Sequence, residues 1–212
     1  MASLIAQPHR KLTIRNCQGF SLLELLLVIG IFVTITTIGL VSYSQFNGRT
    51  LLDNLAYDIG LSIRQAQYYG LSVREQNVSG SGFETAYGIY FSASDPTSYI
   101  FFADANRNGE YDGDSSCDGE CIDRFSLGRG YIISELCAVL AGGTSHCMST
   151  GELTYVAISF DRPDPDAIFH TNQGSGVYEE VTVVVRAPRG REQNVSVAST
   201  GQIGVGTGVL DP

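Results

Sequence analysis

Tryptophan is absent from this sequence, lysine is nearly absent, and only three histidines occur among 212 residues. So few histidines leave general-base chemistry few candidates, and no Ser/His/Asp arrangement is readable. Asp161, Asp164 and Asp166 fall in "DRPDPD", which reads as a turn. The chain is therefore expected not to be an enzyme. Positive charge is scarce as well: 13 Lys+Arg stand against 22 Asp+Glu, for a net charge of −9. A chain this acidic does not have nucleic acid as its default partner. Internal repeats and long low-complexity linkers are lacking too.

What is present begins with "CQGFSLLELLLVIGIF", Cys17 to Phe32. From Phe20 to Val41 the only charged residue is Glu24. A helix rising about 1.5 Å per residue needs roughly 20 such residues to span a hydrocarbon core. Arg10, Lys11 and Arg15 precede the run, which keeps the N-terminus cytoplasmic and sends the rest across. Losing that leader removes three cations and no acid, leaving −12. A secretory signal peptide would have a shorter apolar core and a small-x-small cleavage site; none is evident. A buried soluble helix is another reading, but the run is too apolar on all faces for it. A plain single-pass anchor leaves Glu24 unexplained, because an unpaired carboxylate in lipid costs roughly 3 kcal/mol or more. Cleavage between Gly19 and Phe20 would supply a partner. The new α-amine lies one helical turn from Glu24, and copies packed side by side can pair each Glu24 with a neighbour's amine.

"GFSLLELLLVIGIF" resembles the type IV prepilin signal: Gly, an N-methylated hydrophobic residue, Ser/Thr-Leu-x-Glu, then an apolar helix. The resemblance implies cleavage after Gly19 by a prepilin peptidase, methylation of the Phe20 amine, and a role for Glu24 in filament assembly. The leader is longer than many in that family. The mid-helix proline of many major pilins is missing, and Gly39 with Thr34, Thr36 and Thr37 are expected to loosen the helix instead. Leu52, Leu55, Ile59, Ile63 and Ala66 then recur at helical spacing, so the helix is expected to continue with an amphipathic half. A short break is expected near Asn47-Gly48, and Gly70 is expected to weaken the last turns. "SIRQAQYYGLSV" resembles minor pilins and pseudopilins of the GspH/FimT type, with Ile63-Arg64-Gln65-Ala66 where that family has Ala-Arg-x-x-Ala.

Strands are expected at 87–91, 99–104, 130–140, 153–160, 167–171, 179–187 and 194–199, each β-branched or aromatic and bounded by Gly, Pro or Asn. The fold class is thus α+β and type IV pilin-like: a long N-terminal helix, half membrane and half amphipathic, packed on a mainly antiparallel sheet head. The boundaries are 1–19 for the leader, 20–43 for the membrane half, 44–76 for the amphipathic half and 77–212 for the β-rich head. The expected location is the inner membrane, single-pass, and then an extracytoplasmic filament. The expected partners are other pilin or pseudopilin subunits, the prepilin peptidase and inner-membrane lipid.

"DANRNGEYDGDSSCDGEC" carries Asp104, Asn106, Asn108 and Asp112 at alternating positions, with Gly109 at the turn. This follows the opening of an EF-hand-like calcium loop, with the Glu110 carbonyl as a further ligand. The twelfth position is Ser115 where a bidentate acid is expected; Asp114 or Asp118 are substitutes. The rival is a solvated hairpin without metal. No cofactor is required, and calcium is the one candidate. Similar loops occur in GspH-like proteins. Cys117, Cys121, Cys137 and Cys147 form an even cluster outside the membrane, which suggests two disulfides, although four cysteines allow three connectivities. Zinc, with His146 beside Cys147, is the rival there. FimT-like proteins act in DNA uptake and carry a C-terminal Gly-Arg-x-Arg motif. Here the matching segment, 199–206, has Gln202 and Gly204 instead, and Arg186, Arg189 and Arg191 read as a solvated turn.

Overall fold

The structure is a computed structural model that describes residues 19–72, 85–113, 117–174 and 177–206. Most of the leader, Asp114 and Ser115 lie outside those residues. The chain divides into two compact units, Met1–Gln45 and Phe46–Pro212.

Helix α1 runs from Leu22 to Leu71 and contributes to both units. In the first unit, Leu22–Leu40 is long and apolar enough to cross a membrane. The helix runs unbroken through its threonines. The hydroxyls of Thr36 and Thr37 donate to the carbonyls of Phe32 and Val33 at 2.7 and 2.8 Å, and Thr34 donates to Ile31. Each hydroxyl is thereby satisfied within its own helix, as an apolar solvent demands.

The expected break at Asn47-Gly48 does not occur. Packing in the second unit starts at once and outweighs the turn preference of those residues. Tyr131 donates a hydrogen bond to the Gly48 carbonyl, and Leu52 is already buried. The buried stripe is Leu52, Ala56, Ile59, Ile63 and Ala66; Leu55 packs at its margin, only partly buried. Gly70 reads differently from the sequence expectation. A Cβ there would lie 2.3 Å from the Phe160 carbonyl oxygen, so the missing side chain lets the sheet approach the helix.

The head contains ten strands: β1 Ala86–Ser92, β2 Asp95–Asp104, β3 Cys121–Ser126, β4 Ile132–Leu140, β5 Ser145–Cys147, β6 Tyr155–Phe160, β7 Ala167–Thr171, β8 Tyr178–Arg186, β9 Glu192–Ala198 and β10 Ile203–Gly206. They form two antiparallel five-stranded sheets rather than one, in the orders β3-β2-β1-β6-β7 and β10-β9-β8-β4-β5. One core joins them to the helix. It takes Tyr87, Ile89, Phe91, Phe101, Ile158 and Phe160 from the first sheet, Ile133, Val181, Val183, Val195 and Val197 from the second, and the helical stripe.

The other face of the first sheet is not wet throughout. Ile100, Phe102 and Ala157 are buried there beneath Tyr111. This explains the unbroken apolar run in β2, whose residues Ser98–Asp104 are all buried. A strand covered on both faces loses the alternation of a half-exposed one. Tyr111 belongs to the β2–β3 connection, so this satellite cluster pins the acidic loop to the sheet.

Candidate functional site

Three places in the structure hold the residues singled out by the sequence. The first is the start of α1. Gly19 and Phe20 precede the helix, and Glu24 lies in its first turn. A carboxylate in a first turn faces the exposed backbone N–H groups and the positive end of the helix dipole. Every large apolar side chain from Phe20 to Leu40 is at least 50% exposed, so nothing described in this chain covers that surface.

The second place is the acidic loop between β2 and β3. Asp104, at the end of β2, is buried, and its carboxylate accepts from the backbone N–H groups of Asn108 at 3.1 Å and Gly109 at 2.7 Å. The Asn106 and Asn108 side-chain oxygens accept from the N–H groups two residues on. Both amide nitrogens donate to one oxygen of Asp112. Three of the five proposed ligand residues, Asn106, Asn108 and Asp112, thus meet through their side chains, while the Asp104 side chain holds the loop backbone at Asn108 and Gly109. The Glu110 side chain instead accepts from Tyr155, and burial first, then that bond, pushes the Tyr155 phenol up to about 12. Gly109 has a φ of 80°, and a Cβ there would collide with the His170 ring, so only glycine fits.

Glu120 was not singled out by the sequence reading, which sought an acid at the twelfth loop position. It is 6% exposed and closes the loop from the strand side. One of its oxygens accepts from the N–H of Ala105 at 2.8 Å and of Asn106; the other accepts from Asp112 N–H at 3.1 Å. Its signal was an acid immediately before β3, where the loop returns beside its own start; the Glu120 carbonyl bonds Ala103 N–H. Asp118, the proposed substitute ligand, is exposed. The donor set is all oxygen, which suits a hard cation such as calcium. The two asparagines would have to turn their carbonyls toward the point where their amide nitrogens now meet Asp112.

The cysteines settle the zinc alternative for the described residues. Cys117 bonds Cys121, and Cys137 bonds Cys147 across the paired strands β4 and β5. Glu135 lies beside the second pair, but disulfide sulfurs are not thiolate ligands. His146 is hydrogen-bonded to Glu152 at 3.0 Å instead.

The third place is the β8–β9 turn. Arg186 pairs with Glu192 at 2.6 Å, and Arg189 and Arg191 are exposed. Segment 199–206 ends in β10, which pairs with β9, and Val205 and Ile203 pack toward Gly60 of the helix. That segment has a structural place and no cationic side chain. No family model, curated protein or solved structure matches this chain.

Proposed function

We propose that the chain is a type IV pilin-like subunit, a minor pilin or pseudopilin, cut after Gly19, N-methylated on Phe20 and assembled into a filament through its apolar helix. One observation carries the reading. An apolar helix exposed on all sides bears a single carboxylate, Glu24, one turn past a Gly-Phe junction. Lipid can cover such a helix only if Glu24 finds a positive partner. An α-amine created on Phe20 of a neighbouring copy is such a partner. Helices of several copies would then cover one another once they leave the bilayer, with the buried pair setting their register. The two disulfides agree with a head exported to an oxidising compartment.

The intact mass of protein extracted from membranes tests this. A mass of Phe20–Pro212 plus one methyl group is expected. Reduction should add the hydrogens of two disulfides. A mass that retains Met1–Gly19 in cells with an active prepilin peptidase refutes it, and the plain anchored head then takes its place.

A second reading concerns the loop. The meeting of the Asn106 and Asn108 side chains at Asp112, with the Asp104 carboxylate on the N–H groups of Asn108 and Gly109 in the same loop, favours a calcium ion held there, with Glu120 fixing the loop around it.

A further inference from the structure

We infer that the end of the head where α1 enters it is a docking face for anionic phospholipid headgroups. The face is assembled from three elements. Gly48 of the helix accepts a hydrogen bond from Tyr131, which closes the β3–β4 turn through its N–H to the Gly128 carbonyl at 3.0 Å. That turn abuts the β8–β9 turn, since a Cβ on Gly130 would lie 3.2 Å from Pro188. The β8–β9 turn is itself held by Ala187 N–H to the Arg191 carbonyl at 2.7 Å, and Gln193 ties it to Asp53 of the helix.

These contacts gather Arg49, Arg129, Arg186, Arg189 and Arg191, all exposed. They are half of the ten arginines that follow residue 41 in a chain whose net charge is −9. The acids nearest in sequence to Arg191 and Arg49 are both engaged, Glu192 by Arg186 and Asp53 by Gln193, and Asp58 lies further along the helix. Arg129 is held at a φ of 50° between two glycines, so its side chain stands on a tight turn rather than a loose loop.

The tether selects the partner. Eight residue steps separate Leu40, the end of the apolar span, from Gly48. As helix they rise about 12 Å, and even fully extended they reach no more than about 29 Å. A headgroup layer is roughly 5–8 Å deep, and charges act over about 8 Å at physiological salt. With the span in a bilayer, a membrane reading on which this inference rests, the short tether keeps the five arginines within reach of the phosphates at high effective concentration. A nucleic acid has no such tether and meets the acidic remainder of the head.

The test uses the full chain reconstituted in vesicles of phosphatidylcholine alone, or of phosphatidylcholine with phosphatidylglycerol at three to one. Amide hydrogen exchange is read by mass spectrometry. In the anionic vesicles, peptides covering 128–131 and 187–192 should exchange about tenfold more slowly, with 104–112 unchanged as the folding control. The protection should vanish at 1 M salt and in the combined Arg129→Gln, Arg189→Gln, Arg191→Gln variant. It should survive the corresponding Arg→Lys changes. Equal exchange in both vesicles overturns the inference. So does protection by a short DNA duplex in neutral vesicles without protection by anionic lipid, which would assign the face to nucleic acid. Flotation separates the two readings. If the chain fails to float with neutral vesicles, the membrane reading fails alone. Protection in anionic vesicles then still supports the face, and its absence still refutes it.

Discussion

Replacing Gly70 by alanine should destabilise the head, although helix propensity alone says the reverse. Alanine is favoured over glycine by about 1 kcal/mol in a helix interior. Here, however, the added methyl would lie 2.3 Å from the Phe160 carbonyl oxygen and 2.9 Å from its carbon. Both are backbone atoms of β6, and no rotamer change can move them aside. Overpacking typically costs 1–3 kcal/mol, and an immovable neighbour puts Gly70 near the top of that range. The net expectation is a loss of about 2 kcal/mol after the propensity gain. Gly48 in the same helix provides the comparison, because a Cβ there meets nothing within 4 Å. Gly48→Ala should therefore stabilise by about 0.5–1 kcal/mol. Urea unfolding of the full chain in detergent micelles, followed by near-ultraviolet circular dichroism, should place the two midpoints about 1 M apart for slopes of 2–3 kcal/mol/M. A Gly70→Ala chain as stable as the parent would refute the close approach as the reason for that glycine.

Further expectations concern charge and assembly. Glu24→Ala should leave cleavage after Gly19 intact while abolishing incorporation into filaments; incorporation at the parental level, scored in sheared filament fractions, would remove the pairing argument. Calcium titrated into the full chain should raise the thermal midpoint, and Asp104→Ala should erase that rise; a midpoint indifferent to calcium in the parent leaves the loop a metal-free hairpin. Asp95 accepts hydrogen bonds from Ser98 and Thr97 and pairs with Arg124, and the Ser98 bond leads in holding its carboxyl down to about 2. The folded value lies below the ordinary aspartate value of about 4, so this stability is present above pH 4 and is lost as pH falls towards 2. Asp95→Asn should flatten that part of the acid-unfolding curve, and an unchanged acid limb would dismiss the network as a contributor.

The sequence disclosed the elements better than their arrangement. Each of the seven strands expected from β-branched and aromatic runs is present, 167–171 with the expected ends and the others with one or both ends shifted. The three that escaped notice have physical reasons. β3 carries Asp123 and Arg124 in a six-residue strand, β5 is three residues long, and β10 alternates with glycine, which has no side chain to show a period. A split into two sheets depends on which strands pair, and no local pattern encodes that. The continuous helix through Asn47-Gly48 is a tertiary override, since Tyr131 and the core act on a segment whose own preference is to turn. At the acidic loop, alternation identified Asp104, Asn106, Asn108 and Asp112. Glu120 was hidden because its partners are backbone N–H groups of residues up to fifteen positions away.

The margins of the two sheets have a consequence of their own. At one edge of the second sheet lies β5, three residues long and stapled to β4 by a disulfide; at the other lies β10, two of whose four residues are glycine. In the first sheet, β3 presents Asp123 and Arg124, and β7 follows the prolines at 163 and 165. Short, charged and proline-flanked margins are poor templates for an incoming strand. Copies brought side by side at high local density would therefore not join along their sheets. In the proposed filament, any order among the heads would then come from surfaces other than hydrogen-bonding backbone, which would leave the helix free to dictate the spacing.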